Sequence, residues 1–378
     1  MKLGIDKIMS ELQTLKSDLT KTRLVYSDTQ LSNLSDGQIV VRVERFAFTA
    51  NNITYGVAGE DLGYWKFFPP LDNPEDEWGC IPMWGFAEIS QSNNEALRVG
   101  ERIFGYFPAS HSLILSPIKI SAKNFVDGET HRRELPATYN NYVRLGGEPN
   151  YNRDLDNARA LLWPLHITAF LLCDALQEDS YSGASQVVIT SASSKTSIGL
   201  AQGLAEKKQP PKIVGLTSTS NCDFVESLGC YDSIIPYDEL DCVDSSLKSL
   251  MVDMAGNPAI LGAVHRMLAD NMLKCLTVGM THWNSSTSAN DPLGKAILRD
   301  RTEFFFAPTH LQKLIVDWGG DGYNEKVNDF MHARASQSKN WMQVKEIFGL
   351  ESFLDTYKEV VSGNIDPSKG IIVTVDSG

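Results

Sequence analysis

Gln186-Val-Val-Ile-Thr-Ser-Ala-Ser-Ser-Lys-Thr-Ser-Ile-Gly-Leu-Ala-Gln-Gly-Leu-Ala205 decides how the rest of this chain reads. Its opening, Val187-Val188-Ile189-Thr190, is apolar and β-branched, which suits a buried strand. The small polar residues Ser191 to Ser197 follow as a turn. Ile198, Leu200, Ala201, Leu204 and Ala205 then recur at helical spacing. Pro210-Pro211 ends that helix, because proline lacks the backbone donor and its ring clashes with the preceding turn. Lys212-Ile-Val-Gly-Leu-Thr217 reads as the next strand, and Asp223 to Leu228 as another helix, stopped by Gly229. Strand, turn, helix, strand and helix in close succession predict parallel βαβ winding. A helix N-terminus at the end of such a strand presents N–H groups that suit a phosphate, so a nucleotide-binding half is expected.

The turn lacks the glycines that a dinucleotide fold uses for tight turning and close approach to the pyrophosphate. Ser191, Ser194 and Ser197 stand at that spacing instead. Wherever the backbone there is left-handed, a non-glycine residue costs roughly 1–2 kcal/mol. Serine hydroxyls, on the other hand, can cap the helix and donate to phosphate. Lys195-Thr196 also resembles the end of a P-loop, without the first glycine of that motif.

At 378 residues the chain is long enough for two domains, and its 42% hydrophobic content suits sizeable cores. No apolar run approaches the ~20 residues of a membrane span, and no basic segment, apolar core and cleavage site open the sequence. A net charge of −13 argues against a general affinity for nucleic acid or anionic membrane. Cys80, Cys173, Cys222, Cys230, Cys242 and Cys275 are scattered, with no C-x-x-C pair. That is the pattern of reduced thiols in a cytoplasmic protein.

Taken in order, Ile5, Ile8, Met9, Leu12, Leu15 and Leu19 predict an amphipathic helix over Ile5 to Leu19. Strand patterns follow at Arg23 to Tyr26, Gln38 to Phe48, Phe86 to Ser90, Arg102 to Phe107 and Tyr142 to Leu145. Ala158 to Leu176 is an apolar helical segment that Pro164 should kink or split. After the βαβ region come a strand at Leu250 to Met254, a helix at Pro258 to Leu268 and a strand at Lys274 to Met280. The tail reads as a helix from Trp341 to Lys358 and a final strand from Gly370 to Val375. Leu71 to Glu77, Ser121 to Pro136 and Asn284 to Pro292 read as loops.

This order of parts resembles the medium-chain dehydrogenase/reductase superfamily over nearly the whole chain. Asp36-Gly-Gln-Ile-Val-Val-Arg-Val43 resembles its first β-domain strand, and Leu97-Arg-Val-Gly-Glu-Arg-Ile-Phe-Gly105 its Gly-Asp-x-Val-x-Gly turn and strand. Pro164-Leu-His-Ile-Thr-Ala-Phe170 resembles the entry to the cofactor domain, Phe224-Val-Glu-Ser-Leu-Gly-Cys-Tyr-Asp232 the helix and turn after its second strand, and Val252-Asp-Met-Ala-Gly-Asn257 its fourth strand. Phe48-Thr-Ala-Asn-Asn-Ile-Thr-Tyr55 and Val278-Gly-Met-Thr-His-Trp283 are most similar to a bacterial branch catalogued only as a domain of unknown function. The resemblance implies an α/β fold: a β-rich GroES-like catalytic domain with its N-terminal helix over 1–155, a Rossmann-type doubly wound parallel sheet over 156–300, and a return to the catalytic domain over 301–378.

The zinc branch of that superfamily carries a Cys, a His-Glu pair and a further Cys or Asp around the metal. Phe46-Ala-Phe-Thr-Ala-Asn51 and Ile81-Pro-Met-Trp-Gly-Phe86 stand in those places. A zinc site needs three or four converging N, S or O ligands, so no metal is expected. The remaining likeness is to quinone and enoyl reductases. It implies cofactor contacts at Thr168, at Ser191, Ser194, Lys195, Thr196 and Ser197 around the pyrophosphate, at Ser218, Thr219 and Asn221 after the second strand, and at Gly256 and Thr281. Thr217-Ser218-Thr219-Ser220 has no acid to bond a ribose 2′-hydroxyl, which favours NADP(H), with Lys195 as a candidate cation.

The same likeness makes Tyr55, Asn51 and His282 the candidate catalytic residues, and Thr54, Tyr64, Trp65 and Trp283 the candidate substrate pocket. Tyr55 could donate a proton or bond a carbonyl oxygen, and a histidine such as His282 could polarise a carbonyl. Plainer readings stand beside these: Thr168 bonded to a preceding helix carbonyl, Tyr55 and the aromatic cluster as packing, His282 as a hydrogen-bonded histidine. The expected function is a zinc-independent NAD(P)H-dependent oxidoreductase acting on an activated C=C or carbonyl of a small apolar substrate. The alternative is a cofactor-free ligand-binding or scaffold protein that kept the fold. A homodimer is compatible with either.

Overall fold

The computed structural model describes residues 9–27, 34–149, 151–278, 297–363 and 365–375. It divides into two units, Met1–Leu161 with Gln343–Gly378, and Leu162–Met342. The first unit is built on strands β1 (Met9–Leu15), β2 (Asp18–Ser27), β3 (Ile39–Phe48), β4 (Trp78–Gly79), β5 (Pro82–Ser92), β6 (Arg102–Pro108), β7 (Ser112–Leu115), β8 (Pro117–Ile118), β9 (Asn124–Asp127) and β10 (Asn141–Arg144). Helix α1 (Ala50–Val57) follows β3. Helix α2 (Asp156–Glu178) carries the chain across the boundary.

The second unit contains β11 (Gln186–Ile189), α3 (Lys195–Ala205), β12 (Lys212–Thr217), α4 (Cys222–Ser227), β13 (Ser233–Pro236), β14 (Ser249–Asp253), α5 (Pro258–Leu268), β15 (Met272–Thr277), β16 (Thr302–Phe304) and α6 (Ala307–Ser338). The chain then returns to the first unit with β17 (Gln343–Phe348), α7 (Leu350–Val361) and β18 (Lys369–Thr374).

In the second unit the strands lie in the order β13-β12-β11-β14-β15-β16, all parallel. Counted from β11, that is third, second, first, fourth, fifth, sixth, the order of a dinucleotide-binding sheet. Alternation along each strand loads both faces. Val187 and Ile189 of β11 pack with Leu172 and Leu176 of α2 and Leu200 and Leu204 of α3. Val188, between them, packs on the other face with Leu261, Val264 and Leu268 of α5. Burial on both faces explains why these strands read as continuous apolar runs.

The first unit is strand-rich. Its larger sheet runs β17-β18-β3-β5-β6-β10-β9-β8 with β7 also on β3, and a smaller one runs β2-β1-β4. Its core joins Phe46, Phe48, Ile371 and Val373 of the sheet to Phe353 and Tyr357 of α7.

Several expectations need correcting. The helix expected over Ile5 to Leu19 is a hairpin from Met9 onward: β1 pairs antiparallel with β2 and, at its end, with β4. Its polar residues are buried in partnership rather than solvated. Glu11 accepts from Gln13 Nε2 and Leu71 N, both at 2.6 Å, so tertiary pairing overrides the helical spacing. The tail helix expected from Trp341 begins instead as strand β17, parallel to β18. Helix α2 runs unsplit through Pro164. The return to the first unit comes at Gln343 rather than 301, because α6, which the sequence reading did not anticipate, belongs to the second unit. By length and composition alone, Arg153–Glu178 is apolar enough to cross a bilayer. Leu161, Leu162, Ala169, Leu172 and Cys173 within it are buried in the protein, as in a core helix.

Candidate functional site

The serine turn is set by its backbone. Ser191 takes φ 52°, the left-handed region. Its N–H donates to Tyr237 Oη at 2.8 Å, and its carbonyl accepts from Ser194 N at 2.7 Å. Ser194 is extended, with φ −72° and ψ 145°, and caps α3 by accepting from Ser197 N at 3.2 Å. Ser197 lies within the helix, and its Oγ donates to Thr190 O at 3.0 Å. The steric cost feared for all three serines therefore falls on Ser191 alone. Ser193 Oγ accepts from Asn221 Nδ2 at 3.1 Å.

Beside this turn, β11 and β14 are tied at their C-terminal ends. Thr190 Oγ1 donates to Asp253 Oδ1 at 2.7 Å and accepts from Met254 N and Ala255 N at 2.8 and 3.0 Å. Gly256 N donates to the same Asp253 oxygen at 3.3 Å. Asp253 is buried, and that burial raises its carboxyl above the usual range. Lys195 opens α3, and its carbonyl accepts from His166 Nε2 at 3.0 Å. His166 is fully buried and close-packed; a Cβ on Gly199 would come within 2.7 Å of its ring. Desolvation lowers its pKa to about 3, so it is a neutral structural histidine. Thr168 Oγ1 donates to Pro164 O at 3.2 Å, the plainer of its two readings.

Past β12, Ser218 and Ser220 hydroxyls lie 3.1 Å apart, and Thr219 Oγ1 donates to Asp238 Oδ1 at 2.8 Å. Asp238 follows β13, and the sequence reading missed it: only the pairing of β13 with β12 brings it to this place.

In the first unit, Asn51, Thr54 and Tyr55 share one face of α1. The neighbouring Asn52 holds the helix start, accepting from Thr49 N at 2.8 Å and donating to Pro82 O at 2.9 Å. Tyr55 is buried among phenols: its ring lies 4.6 Å from Tyr64 and 5.7 Å from Tyr106. Tyr64 and Tyr139 hydroxyls are 3.1 Å apart, and the Trp84 ring lies tilted at 5.1 Å from Tyr106. Burial, then the nearby Tyr64, holds the Tyr55 phenol well above its usual range, so it is a hydrogen-bond donor and not a base. Trp65 is core: its indole fills the space that a Cβ on Gly59 or Gly79 would occupy. Tyr106, Tyr139 and Trp84 were not singled out from sequence; strand alternation in Arg102–Pro108 and Pro82–Ser92 was a signal for Tyr106 and Trp84, and Tyr139 lies in the turn at Ala137–Asn140, outside both strands. Thr281, His282 and Trp283 lie outside the described residues.

Asp174, Glu178 and His310 also converge in the second unit, but His310 Nε2 lies 2.9 Å from Asp174 and Lys313 pairs with Glu178 at 2.7 Å, so the group is compensated internally. The serine turn, by contrast, fits a dinucleotide. All side chains from Ser191 to Ser194 are small; Ser193 Oγ accepts from Asn221 Nδ2, Ser194 Oγ donates to Ser197 Oγ and accepts from Ser197 N, and Ser197 Oγ donates to Thr190 O. The first-turn N–H groups of α3 lie ahead of its internal ladder.

A family model described as "Protein of unknown function (DUF2855)" matches residues 46–366. The chain belongs to that family. No curated protein sequence matches it. Among solved structures it is similar to CurA from Vibrio vulnificus in complex with NADPH, at 14% identity, 98% of this chain, 100% of that chain and a TM-score of 0.62. It is similar to a mutant form of enoyl thioester reductase from Candida tropicalis, at 11% identity, 97% of this chain, 100% of that chain and a TM-score of 0.56. It is also similar to the yhdH oxidoreductase from Salmonella enterica in complex with NADP, at 15% identity, 97% of this chain, 100% of that chain and a TM-score of 0.52. This DUF2855 member thus shares the fold of these structures, with a strand-rich unit and a unit built on a Rossmann-type parallel sheet.

Proposed function

We propose that this DUF2855 protein is a zinc-independent, NAD(P)H-dependent oxidoreductase that reduces an activated C=C bond or a carbonyl of a small apolar substrate. The observation that carries the reading is the β11–turn–α3 geometry, with a capped helix start lined by small residues at the C-terminal edge of a parallel sheet. The similar folds crystallised with NADPH or NADP support it. In this reading Ser191, Ser194, Lys195, Thr196 and Ser197 hold the pyrophosphate. Ser218, Thr219 and Asn221 surround the adenosine ribose, and Thr168, Gly256 and Thr281 belong to the nicotinamide half. The nicotinamide, when bound, supplies a hydride.

The chain's own part is orientation and hydrogen bonding. Tyr55 offers a protonated phenol to an acceptor oxygen, held by Asn51 on the same helix face. Thr54 and Tyr64 stand near it in the same unit, and His282 and Trp283, outside the described residues, belong to the set that the resemblance implies. Zinc has no place in this reading, since phenylalanine and Ile81-Pro-Met-Trp stand where metal ligands would be. The proposal includes a cytoplasmic location, a small-molecule substrate, no nucleic-acid or membrane partner, and a homodimer as the assembly.

Fluorescence titration with NADH and NADPH tests the reading, using Ser194→Glu beside the parent. Micromolar-range binding by the parent and its loss in the folded variant are expected, because a carboxylate in that turn repels the pyrophosphate. The inward-turned serine hydroxyls favour the second reading, a cofactor-free ligand-binding or scaffold protein. Absence of binding by the parent to both nucleotides would establish that one instead.

A further inference from the structure

A dinucleotide-binding sheet chooses its cofactor at the end of its second strand, where an acid bonds the ribose 2′-hydroxyl of NAD and repels the 2′-phosphate of NADP. Thr217-Ser218-Thr219-Ser220 has no acid of its own. The fold supplies one from the next connection. Strand β13 runs parallel to β12 with Pro236 opposite Thr217, so the residues after Pro236 emerge beside Ser218. Tyr237 Oη accepts from Ser191 N, which fixes that connection against the serine turn. Asp238, the next residue, accepts from Thr219 Oγ1 at 2.8 Å. Asn221 Nδ2 binds Ser193 Oγ, so the segment after β12 is tied to the same turn from the other side.

The surrounding charge has one sign. Beside Asp238 stand Glu239 from its own connection and Asp223 and Glu226 from α4. Burial and then the fields of Asp223, Asp238, Glu239 and Glu226 push the Cys222 thiol up. The basic side chain at the turn is Lys195, at the start of α3. A 2′-phosphate adds nearly two negative charges, and like charges at hydrogen-bond range weaken binding.

Resting on the proposed dinucleotide reading of the serine turn, we infer that this protein prefers NADH to NADPH and that Asp238 sets the choice. The preference is opposite to the one the sequence segment after β12 favours by itself. Thr219 acts as the positioning residue: its hydroxyl donates to one Asp238 oxygen and leaves the other for the ribose.

The test uses the full chain. NADH and NADPH are each titrated by fluorescence, and bound NADH is displaced with 5′-AMP and with 2′-AMP. NADH is expected to bind at least tenfold more tightly than NADPH, and 5′-AMP to compete better than 2′-AMP. In Asp238→Asn the NADH/NADPH ratio should fall several-fold, chiefly through tighter NADPH binding, with an unchanged melting temperature. Equal or tighter binding of NADPH by the parent overturns the inference and leaves the dinucleotide reading standing. An unchanged ratio in Asp238→Asn overturns the assignment to Asp238. Binding of neither nucleotide overturns both readings. The AMP competition decides the matter on the parent protein alone, so the result does not depend on the variant folding.

Discussion

Thr190→Val keeps volume and branching but removes the hydroxyl on which the ends of β11 and β14 converge. Thr190 and Asp253 are both buried, at 0% and 1% exposure, so water cannot replace what is lost. The valine deletes the 2.7 Å bond to Asp253 and leaves Met254 N without its acceptor. Ala255 N keeps a second acceptor in Asp253 Oδ1 at 3.2 Å. A lost bond to a charged group costs about 1.5–3 kcal/mol and an orphaned buried donor about 1–3 kcal/mol. The sum, about 2.5–6 kcal/mol, is a large part of a typical stability of 5–15 kcal/mol. For a unit of this size it corresponds to a fall in melting temperature of roughly 5–24 °C. Thr190→Ser keeps the hydroxyl and loses one methyl, at about 1 kcal/mol. Urea unfolding followed by far-UV circular dichroism distinguishes the two. If the valine and serine variants lie within about 1 kcal/mol of each other, the hydroxyl does not tie the strand ends as described.

Ser191→Gly should stabilise the protein by about 0.5 kcal/mol, the relief of left-handed strain less the entropy glycine adds to the unfolded chain, whereas Ser194→Ala should cost about 1 kcal/mol through the lost cap; thermal melts that rank them the other way would refute the assignment of strain to Ser191. Burial holds His166 near pKa 3 and His265 near pKa 4, both below the ordinary 6.5. The unfolded chain therefore takes up these protons first, so their contribution is full above pH ~6.5 and is lost as pH falls toward their folded values, at about 1.4 kcal/mol per unit for each. Melting temperature should drop from pH 6.5 to 5, and a slope unchanged in His166→Asn and His265→Gln would contradict this. Metal analysis of the purified protein should find no stoichiometric zinc, and one tightly held zinc per chain, lost together with activity on chelation, would overturn the metal-free reading.

The second unit was the more legible half in sequence. Its strands β11, β12 and β14 are buried on both faces, so each appears as a short apolar run, and Pro210-Pro211 and Gly229 mark the helix ends. The first unit was harder to read because hydrogen-bond partners decide its edges. Glu11 and Gln13 look like the polar face of a helix until the segment carrying Leu71 closes over them. Residues 343–348 form a mostly exposed strand, and its parallel pairing with β18 across α7 shows in neither propensity nor pattern. In the site, Ser191, Ser194 and Ser197 were found from spacing alone, but spacing could not say which serine was strained. Asp238 was invisible because it reaches the segment after β12 through a parallel pairing and not through proximity in sequence. Tyr106 and Tyr139 were missed for the same reason: the phenol cluster exists only once β6 and the turn at Ala137–Asn140 are brought beside α1.

Strand β18 lies between β17 and β3, in the interior of the larger sheet of the first unit. Its pairing with β3 joins residues 371–374 to residues 45–48. On a ribosome, which releases the chain from its N-terminus, that sheet stays incomplete until nearly all the described residues have emerged. The second unit, continuous from Leu162 to Met342, has every strand it needs well before then. Although it is made later, it can mature first, while β3 waits with an open hydrogen-bonding edge and an apolar face lacking α7. The strands β3 and β5 to β10 are therefore made well before the strand that completes their sheet. A circular permutant that moves Gln343–Val375 ahead of β1 would remove that delay.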